Sequence, residues 1–221
     1  KSITVTVGNN LNFTVPDVTI CTGNTATLKV NITGSGFLYK WSNGSITDSI
    51  VVNPTITTSY TVTVTSSSGC VGTKSVTVTV QNKLIANAGV DAHICIGKSI
   101  LISASGGQNY KWNTGSSSQF ISVSPSITTS YIVTVSSGSC SAIDSVTIFV
   151  HDIPIANAGK DTTICSGNTI NLNASGGDNY LWSTGEKSSN INVNPLISTT
   201  YTVTVSNSFG CSATDDVIIN V

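Results

Sequence analysis

The feature that most constrains this chain is an internal repeat of about seventy residues. The segment Thr-Thr-Tyr-Thr-Val-Thr-Val at residues 199–205 has near-copies at residues 58–64 and 129–135. Its tyrosine recurs at intervals of 71 and 70 residues, and one tryptophan keeps the same intervals. The two sets are Tyr60, Tyr131 and Tyr201, and Trp41, Trp112 and Trp182. Such a period predicts one folding unit that is used three times.

Each copy carries the pattern of β-strands. Apolar residues alternate with Thr, Ser or Asn at a period of two, β-branched residues are frequent, and glycine turns separate the segments. In the third copy we expect an opening strand from about Ile155 to Cys165 and a third strand that carries Tyr180 and Trp182. We predict about seven strands and no helix in each copy. That number in seventy residues is typical of a β-sandwich.

The repeat also predicts the domain boundaries. We place them at residues 1–81, 82–151 and 152–221, with Lys1–Val7 as a candidate last strand of a preceding repeat because it resembles Lys74–Val80. The connectors are about three residues long, which is too short for a flexible coil. Neighbouring domains should therefore touch and form a stiff rod.

Composition excludes several classes of partner. Only 9% of the residues are charged and the net charge is -1, so the chain has no basic surface for nucleic acid. It contains no apolar run of the roughly 20 residues that a membrane-spanning helix needs. We therefore expect neither nucleic acid as a partner nor a membrane span in this part of the protein.

The recurring aromatic residues are predicted to form the cores. The tryptophan and tyrosine of each copy, Trp41, Trp112 and Trp182 with Tyr60, Tyr131 and Tyr201, lie on the inward parity of their strands. A second tyrosine, at 39, 110 and 180, precedes each tryptophan by two residues. These tyrosines could stack against sugars, but they share the inward parity, which favours core packing.

We find no constellation of residues that would perform catalysis. A hydrolase triad needs a histidine beside a nucleophile and an orienting acid, and neither His93 nor His151 recurs between copies. The two histidines also lack a cysteine or carboxylate at the spacing of metal ligands. We interpret them as separate surface residues and predict that the protein is not an enzyme.

One aspartate recurs near the start of each copy, at Asp17, Asp91 and Asp161. Together with Asp144, or with Asp215 and Asp216, these carboxylates offer oxygen ligands for Ca²⁺ between domains. A calcium loop needs several carboxylates within about a dozen residues, whereas only one is regular here. We therefore interpret them as turn or strand-edge residues and predict no cofactor, with calcium as the open alternative.

Three motifs suggest a family. Copies two and three contain Ala-Asn-Ala-Gly-x-Asp followed by Ile-Cys-x-Gly, then Ala-Ser-Gly-Gly-x-Asn-Tyr-x-Trp, and all three contain Tyr-x-Val-Thr-Val or a close variant. With Trp on the third strand and Tyr opening the sixth, the chain resembles the PKD-like and immunoglobulin-like tandem repeats of large Bacteroidota surface proteins of the gliding adhesin type. This resemblance implies export and short Asp-Ser/Thr-apolar sites of O-glycosylation, at Ser49, Ser145 and Thr162.

The resemblance implies the following fold and function. The fold would be all-β: three tandem seven-stranded immunoglobulin-like (PKD-like) β-sandwiches in a rod. The chain would be a non-catalytic structural rod segment of an extracellular bacterial surface adhesin or filament at the cell surface. The alternative is a spacer or carbohydrate-binding region of a secreted multidomain polysaccharide-degrading enzyme. Its partners would be adjacent repeats of the same protein, with glycans or other surface proteins as further candidates.

Six cysteines, two per copy, are expected to be oxidised in an exported chain. In an immunoglobulin-like sandwich the two cysteines of one copy lie at opposite ends, roughly 20 Å apart along a strand. A disulfide needs Cα atoms within about 7 Å. We therefore predict bonds between neighbouring repeats, Cys21 with Cys140 and Cys95 with Cys211. Cys70 and Cys165 would then have their partners in further neighbouring repeats, and would here be free or bonded to neighbouring chains.

Overall fold

The computed structural model describes residues 11–221. The proposed strand at Lys1–Val7 lies outside the described residues. Within residues 11–221 the regular secondary structure consists of eighteen β-strands, and no helix is present among them. The strands form three sheet groups of the same composition: β1 to β6, β7 to β12, and β13 to β18.

The chain divides into two compact units. The first unit consists of the chain up to Ala86 together with Gly106–Tyr110 and Thr134–Ile143. The second consists of Asn87–Ser105, Lys111–Val133 and Asp144–Val221. Each unit thus contains one complete sheet group and a part of the second group.

The first sheet group lies within the first unit. Its strands form a four-stranded sheet, in the order β1-β6-β5-β3, and a two-stranded sheet of β2 and β4. All pairs are antiparallel except β1 with β6, which run parallel. The strands are β1 Val18–Cys21, β2 Ala26–Lys29, β3 Leu38–Trp41, β4 Ser49–Val52, β5 Thr58–Thr65 and β6 Val71–Gln81.

The other two groups repeat this topology. Their four-stranded sheets have the orders β7-β12-β11-β9 and β13-β18-β17-β15, and their two-stranded sheets pair β8 with β10 and β14 with β16. The second group comprises β7 Ala92–Cys95, β8 Ile100–Ser103, β9 Asn109–Trp112, β10 Phe120–Val123, β11 Thr129–Ser137 and β12 Cys140–His151. The third comprises β13 Thr162–Thr163, β14 Ile170–Asn173, β15 Asn179–Trp182, β16 Asn190–Val193, β17 Thr199–Ser206 and β18 Ser212–Asn220.

The opening segment of each group differs from the continuous strand that the sequence predicts. In the third group Asn157 first forms an isolated bridge with Ser175, and the chain then turns at Gly159 before β13 pairs in parallel with β18. Gly159 has a φ of 98°, which favours glycine because a Cβ is strained there. The opening segment therefore serves both sheets, and each group has seven pairing segments when its bridge is counted.

The cores consist of the inward residues that the alternation predicts. Trp41, Trp112 and Trp182 are buried, and each indole nitrogen donates a hydrogen bond to a backbone carbonyl six residues further on. Tyr131 and Tyr201 are buried too. Tyr60, by contrast, is only partly buried, against the edge of the first core. Phe13 is buried in the first core.

The strand order defines the fold class. A two-stranded sheet and a four-stranded sheet share one core in the first and third groups, and the opening segment switches from one sheet to the other. This arrangement is that of an immunoglobulin-like sandwich with its Trp on the third strand. The prediction of three tandem immunoglobulin-like β-sandwiches is confirmed.

Candidate functional site

Each unit contains a place where residues of two successive sheet groups meet around a disulfide. We call the first junction the cluster of Cys21, Gln81, Gly138, Ser139 and Cys140 in the first unit. The second junction is the corresponding cluster in the second unit. It comprises His93, Cys95, Phe149, His151, Asn207, Phe209 and Cys211.

A disulfide connects the two sides of each junction. Cys21 is bonded to Cys140 with 5.7 Å between the Cα atoms, and Cys95 is bonded to Cys211 with 5.5 Å between the Cα atoms. Both Cα separations lie in the range that disulfides require. These are the pairs that the sequence argument predicts.

Strand direction explains why the bonds do not form within a sheet group. Cys21 is in register with Gln81 at the end of β6, whereas Cys70 immediately precedes the first residue of that strand. β6 has 11 residues. At about 3.3 Å per residue it separates the two cysteines of the group by roughly 35 Å, so only a cysteine of a neighbouring group comes within bonding distance.

Small polar groups surround the first disulfide. The side-chain oxygen Oε1 of Gln81 lies 3.4 Å from Sγ of Cys140. Gln81 also fills the space beside Gly138, where a Cβ would come within 2.8 Å of the amide of the glutamine. The hydroxyl of Ser139 donates a long hydrogen bond, of 3.5 Å, to the carbonyl oxygen of Thr19.

Aromatic rings of both sheet groups stack at the second junction. His93 and His151 are hydrogen-bonded through Nδ1 and Nε2, which are 2.8 Å apart. The ring of Phe209 stacks on that of His151 with centroids 3.5 Å apart, and Phe149 stacks on His93 at 4.9 Å. Asn207 adds a hydrogen bond of 3.0 Å from its amide nitrogen to the carbonyl of Asp152.

The two histidines lie on the surface, as interpreted, but they are not separate residues. His93 on β7 is in register with Phe149 on the parallel strand β12, so His93, Phe149 and His151 share one face. The parallel pairing thus brings together two histidines that are 58 positions apart in the sequence. No local sequence pattern marks this contact between the histidines. The one signal is that His93 lies two residues before Cys95, which is the register partner of His151.

The recurring aspartates hold the opening segments to the last strands. Asp17, Asp91 and Asp161 each accept a backbone N–H of the last strand of their own group at 2.7 to 2.8 Å. Asp144 and Asp215 each accept the N–H of an alanine in the opening segment at 2.8 Å. These contacts fit the strand-edge interpretation, because each carboxylate satisfies an amide that the short parallel ladder leaves unpaired.

The structure places the tyrosines considered for sugar stacking and the candidate metal ligands as follows. Tyr110 and Tyr180 are half-buried, and their hydroxyls donate to the carbonyls of Gly107 and Gly177. Across residues 11–221 no three or more His, Cys, Asp and Glu side chains are grouped so that they could hold a metal ion. The same residues include no helix with the length and hydropathy that membrane crossing requires.

Two cysteines and the three candidate glycosylation residues complete the predicted sites. Cys70 and Cys165 carry free thiols, Cys70 partly exposed and Cys165 exposed. Ser145 is exposed on β12, and Ser49 and Thr162 are half-buried at the start of β4 and of β13. The glycosylation of these residues stays a prediction.

The fold and the junctions define a class: a tandem array of immunoglobulin-like sandwiches whose neighbouring members are joined by disulfides. Disulfides persist in oxidising compartments, so the two bonds point to an extracellular or secreted protein. No protein-family model matches the chain, and no curated protein matches it.

Solved structures with tandem immunoglobulin domains are similar to this chain. A three-domain titin fragment, domains I67-I69 in an E-to-A variant, has a TM-score of 0.49 at 14% identity, over 95% of this chain and 97% of the fragment. Extracellular domains 3-5 of Drosophila OTK have a TM-score of 0.40 at 9% identity, over 97% of this chain and 98% of theirs. Titin domains A168-A170 have a TM-score of 0.38 at 18% identity, over 94% and 96%.

Proposed function

We propose that this chain is a non-catalytic structural segment of an extracellular bacterial surface adhesin or filament, and that its task is to transmit tension. The observation that carries the proposal is the interleaving of the two disulfides. Cys95 of the second bond lies inside the loop that the first bond closes, and Cys140 of the first bond lies inside the loop of the second.

Interleaving sets a limit on how far the chain can be stretched. Between Cys21 and Cys211 the polypeptide has 190 peptide units (211 minus 21). The shortest covalent route crosses the first bond to Cys140, returns along the chain to Cys95 and crosses the second bond, so it contains 45 peptide units (140 minus 95). At about 3.5 Å per residue the full chain reaches roughly 660 Å and this route roughly 160 Å.

This limit follows from bonding alone and needs no sandwich to resist force. Even when every strand is pulled apart, the segments from Cys21 to Cys95 and from Cys140 to Cys211 carry no tension. A passive spacer has no need of such a limit, whereas a surface filament that is loaded at one end benefits from it. The disulfides also keep the segments of an unfolded repeat close to one another, which favours refolding when the tension falls.

Single-molecule extension tests the tension-bearing role. In a chain held by handles outside Cys21 and Cys211, the distance between these residues should reach at most roughly 160 Å when oxidised, and at most roughly 660 Å after reduction. The variant Cys21→Ser/Cys140→Ser, which keeps one bond, should gain an intermediate length. An oxidised chain that extends as far as the reduced chain would contradict the proposal.

The bacterial cell surface is the part of the proposal that rests on the motif resemblance. Glycans and other surface proteins are the candidate ligands if the segment also binds, and adjacent repeats are its structural partners. A glycan array probed with the intact chain separates the roles. Saturable binding would favour the carbohydrate-binding region of a secreted polysaccharide-degrading enzyme over a segment that only transmits force.

We further propose that residues 1–81, 82–151 and 152–221 are the three folding repeats. The support is that each range contains one sheet group with the same strand order. The stiff rod expected from their short connectors stays a prediction. Small-angle scattering checks this expectation, because a rod and a compact particle of equal mass differ clearly in maximum dimension.

A further inference from the structure

We propose that Cys165 and Cys70 are the two halves of a third junction, through which this chain bonds head to tail to a second copy of the same repeat array. The inference rests on the proposed structural role and names the partner. Both observed bonds follow one rule: the cysteine at the end of the first strand of a sheet group pairs with the cysteine at the start of the last strand of the next group, to within one residue. Cys165 occupies the first position of the rule and Cys70 the second.

The turn that presents Cys70 has the same geometry as the turn that presents the bonded Cys211. Ser66 donates its N–H to the carbonyl of Cys70 at 2.9 Å, and Asn207 donates its N–H to that of Cys211 at 3.0 Å. The N–H of Cys70 is accepted by the hydroxyl of Ser66 at 3.1 Å, as the N–H of Cys211 is accepted by the side-chain oxygen of Asn207 at 3.0 Å. The glycines before the cysteines have φ values of 84° and 82°.

The turn that presents Cys165 shares two features with the turns that present the bonded Cys21 and Cys95. The carbonyl of Cys165 accepts the N–H of the residue three positions later at 3.1 Å, and the carbonyls of Cys21 and Cys95 accept the equivalent N–H at 2.9 and 3.0 Å. A glycine with positive φ stands two residues after each cysteine, with values of 76°, 93° and 79° in the same order. Both free thiols are therefore held in the backbone geometry that forms a bond in this protein.

The exposure of the cysteines indicates that the turns of Cys70 and Cys165 lack a covering partner. Cys140 and Cys211, which have partners, are 2% and 1% exposed. Cys70, the counterpart of these two, is partly exposed, and Cys165 is exposed whereas its bonded counterparts Cys21 and Cys95 are half-buried. The missing cover is therefore the opposite half of a junction. Cys165 of one copy and Cys70 of the next supply these two halves to each other.

The residues around Cys70 and Cys165 predict that the disulfide, and not the noncovalent contact, holds two copies together. Ser68 stands two residues before Cys70, where the second junction has Phe209, and Thr163 stands two residues before Cys165, where it has His93. The aromatic stack is thus absent, and the third junction resembles the small polar first junction. Because the two faces differ, the contact is heterologous and joins copies head to tail.

The bond forms by thiol–disulfide exchange. Oxidised glutathione supplies the oxidising equivalents: one thiolate attacks it, giving a mixed disulfide and one glutathione, and the second thiolate then displaces the other glutathione. The two protein thiols lose two electrons and two protons, which end on two molecules of reduced glutathione. The first two disulfides of the chain remain intact in a buffer that is poised to leave them oxidised.

Two single variants test the pairing with little risk to folding, because each removes a free, accessible thiol. Cys70→Ser leaves Cys165 as the only free thiol, and Cys165→Ser leaves Cys70 as the only free thiol. In a glutathione buffer the mixture of both variants should form disulfide-linked dimers at least about tenfold faster than either variant alone. The unmodified chain should give a ladder of multimers on non-reducing gels. Peptide mapping should recover Cys70 linked to Cys165.

Random oxidation of accessible thiols gives a different result. If Cys70→Ser alone forms Cys165–Cys165 dimers as fast as the mixture forms mixed dimers, the proposal is overturned. A wild-type chain that stays monomeric while both internal disulfides re-form after reduction would overturn it too. In either case the restricted extension of the single oxidised chain would still stand, so this failure is distinguishable from failure of the proposed structural role.

Discussion

The two junctions have the same covalent bond and different surroundings. In the first, Gln81 and Gly138 place an amide and a backbone beside the disulfide, and no aromatic ring is present among its defining residues. In the second, two hydrogen-bonded histidines and two phenylalanines stack beside it. Yet the Cα separations of the disulfides differ by only 0.2 Å (5.7 minus 5.5).

This difference shows which contacts a junction depends on. The strand ends and turns bring the cysteines to bonding distance in both units, so the backbone sets the geometry. The side chains around the bond can then change from amide to aromatic without moving the sulfur atoms. The disulfide should therefore contribute most of the stability of each junction. The surrounding contacts should account for the smaller differences in stability between the two junctions.

The largest expected effect is the loss of one disulfide. Cys21→Ser/Cys140→Ser and Cys95→Ser/Cys211→Ser open loops with sequence separations of 119 and 116 residues. The chain-entropy model gives a loss of about 5 kcal/mol in the free energy of unfolding for either pair. Urea unfolding of the two double variants measures both losses. A difference between them of more than about 1 kcal/mol would show that the surrounding contacts matter more than proposed.

Truncating the middle tryptophan should affect both junctions. Trp112 is buried, and the loss of a large aromatic from a core costs about 3–5 kcal/mol. Because the second sheet group contributes a cysteine to each disulfide, Trp112→Ala should raise hydrogen exchange around both Cys140 and Cys95. The matched variant Trp182→Ala should raise it around Cys211 only. If thermal melts of Trp112→Ala and the parent overlay, the indole does not belong to the core.

A smaller effect on stability is expected from alanine substitutions in the turns that precede Cys140 and Cys211. Gly138→Ala and Gly210→Ala both place a Cβ at positive φ, 58° and 82°, which costs about 1–2 kcal/mol. Only the first Cβ meets a neighbour, the amide of Gln81 at 2.8 Å; that of Gly210 meets nothing within 4 Å. Gly138→Ala should therefore lose a further fraction of a kcal/mol.

Adding Gln81→Ala to the Gly138 variant provides the control. It should remove the extra loss, because the obstructing amide is gone, while the cost of the backbone conformation remains. Urea unfolding measures these differences on one scale. Equal losses for Gly138→Ala with and without Gln81→Ala would mean that the glutamine moves aside freely, and that the first junction has no close packing to distinguish it.

The smallest expected effect concerns the histidine pair of the second junction. A double-mutant cycle with His93→Ala, His151→Ala and both together isolates the interaction between the two rings. We expect a coupling of about 1 kcal/mol, the usual net contribution of one hydrogen bond. Additive losses would indicate that stacking on Phe149 and Phe209 holds each ring independently. The second junction would then differ from the first by apolar packing alone.

Much of the fold can be predicted from local patterns. The alternation at Val203 and Val205 and the spacing of the tryptophans predict the strands and the cores, because a side-chain period of two determines which face is buried. Strand direction also suffices to predict the cysteine pairs. Tyr60 is the exception: it has the parity of Tyr131 and Tyr201 but remains only partly buried against the first core.

What the sequence missed depends on pairing between distant segments. The split opening segment follows from Gly159 and from a parallel register that joins Thr162 with Ile219, which no local period encodes. The histidine pair has the same origin, since His93 and His151 meet only because β7 and β12 run parallel.

By itself, then, the sequence determined the repeat, the strands, the core faces and the ends at which the cysteines lie, because all of these depend on side-chain period and chain direction. Only the tertiary structure decided which polar groups meet: Asp161 with the amide of Ile218, Gln81 with Cys140, and His93 with His151. The physical reason is that a hydrogen bond or a ring stack depends on register to within one residue. Burial of an apolar face tolerates several registers of the same parity, whereas these contacts form in only one.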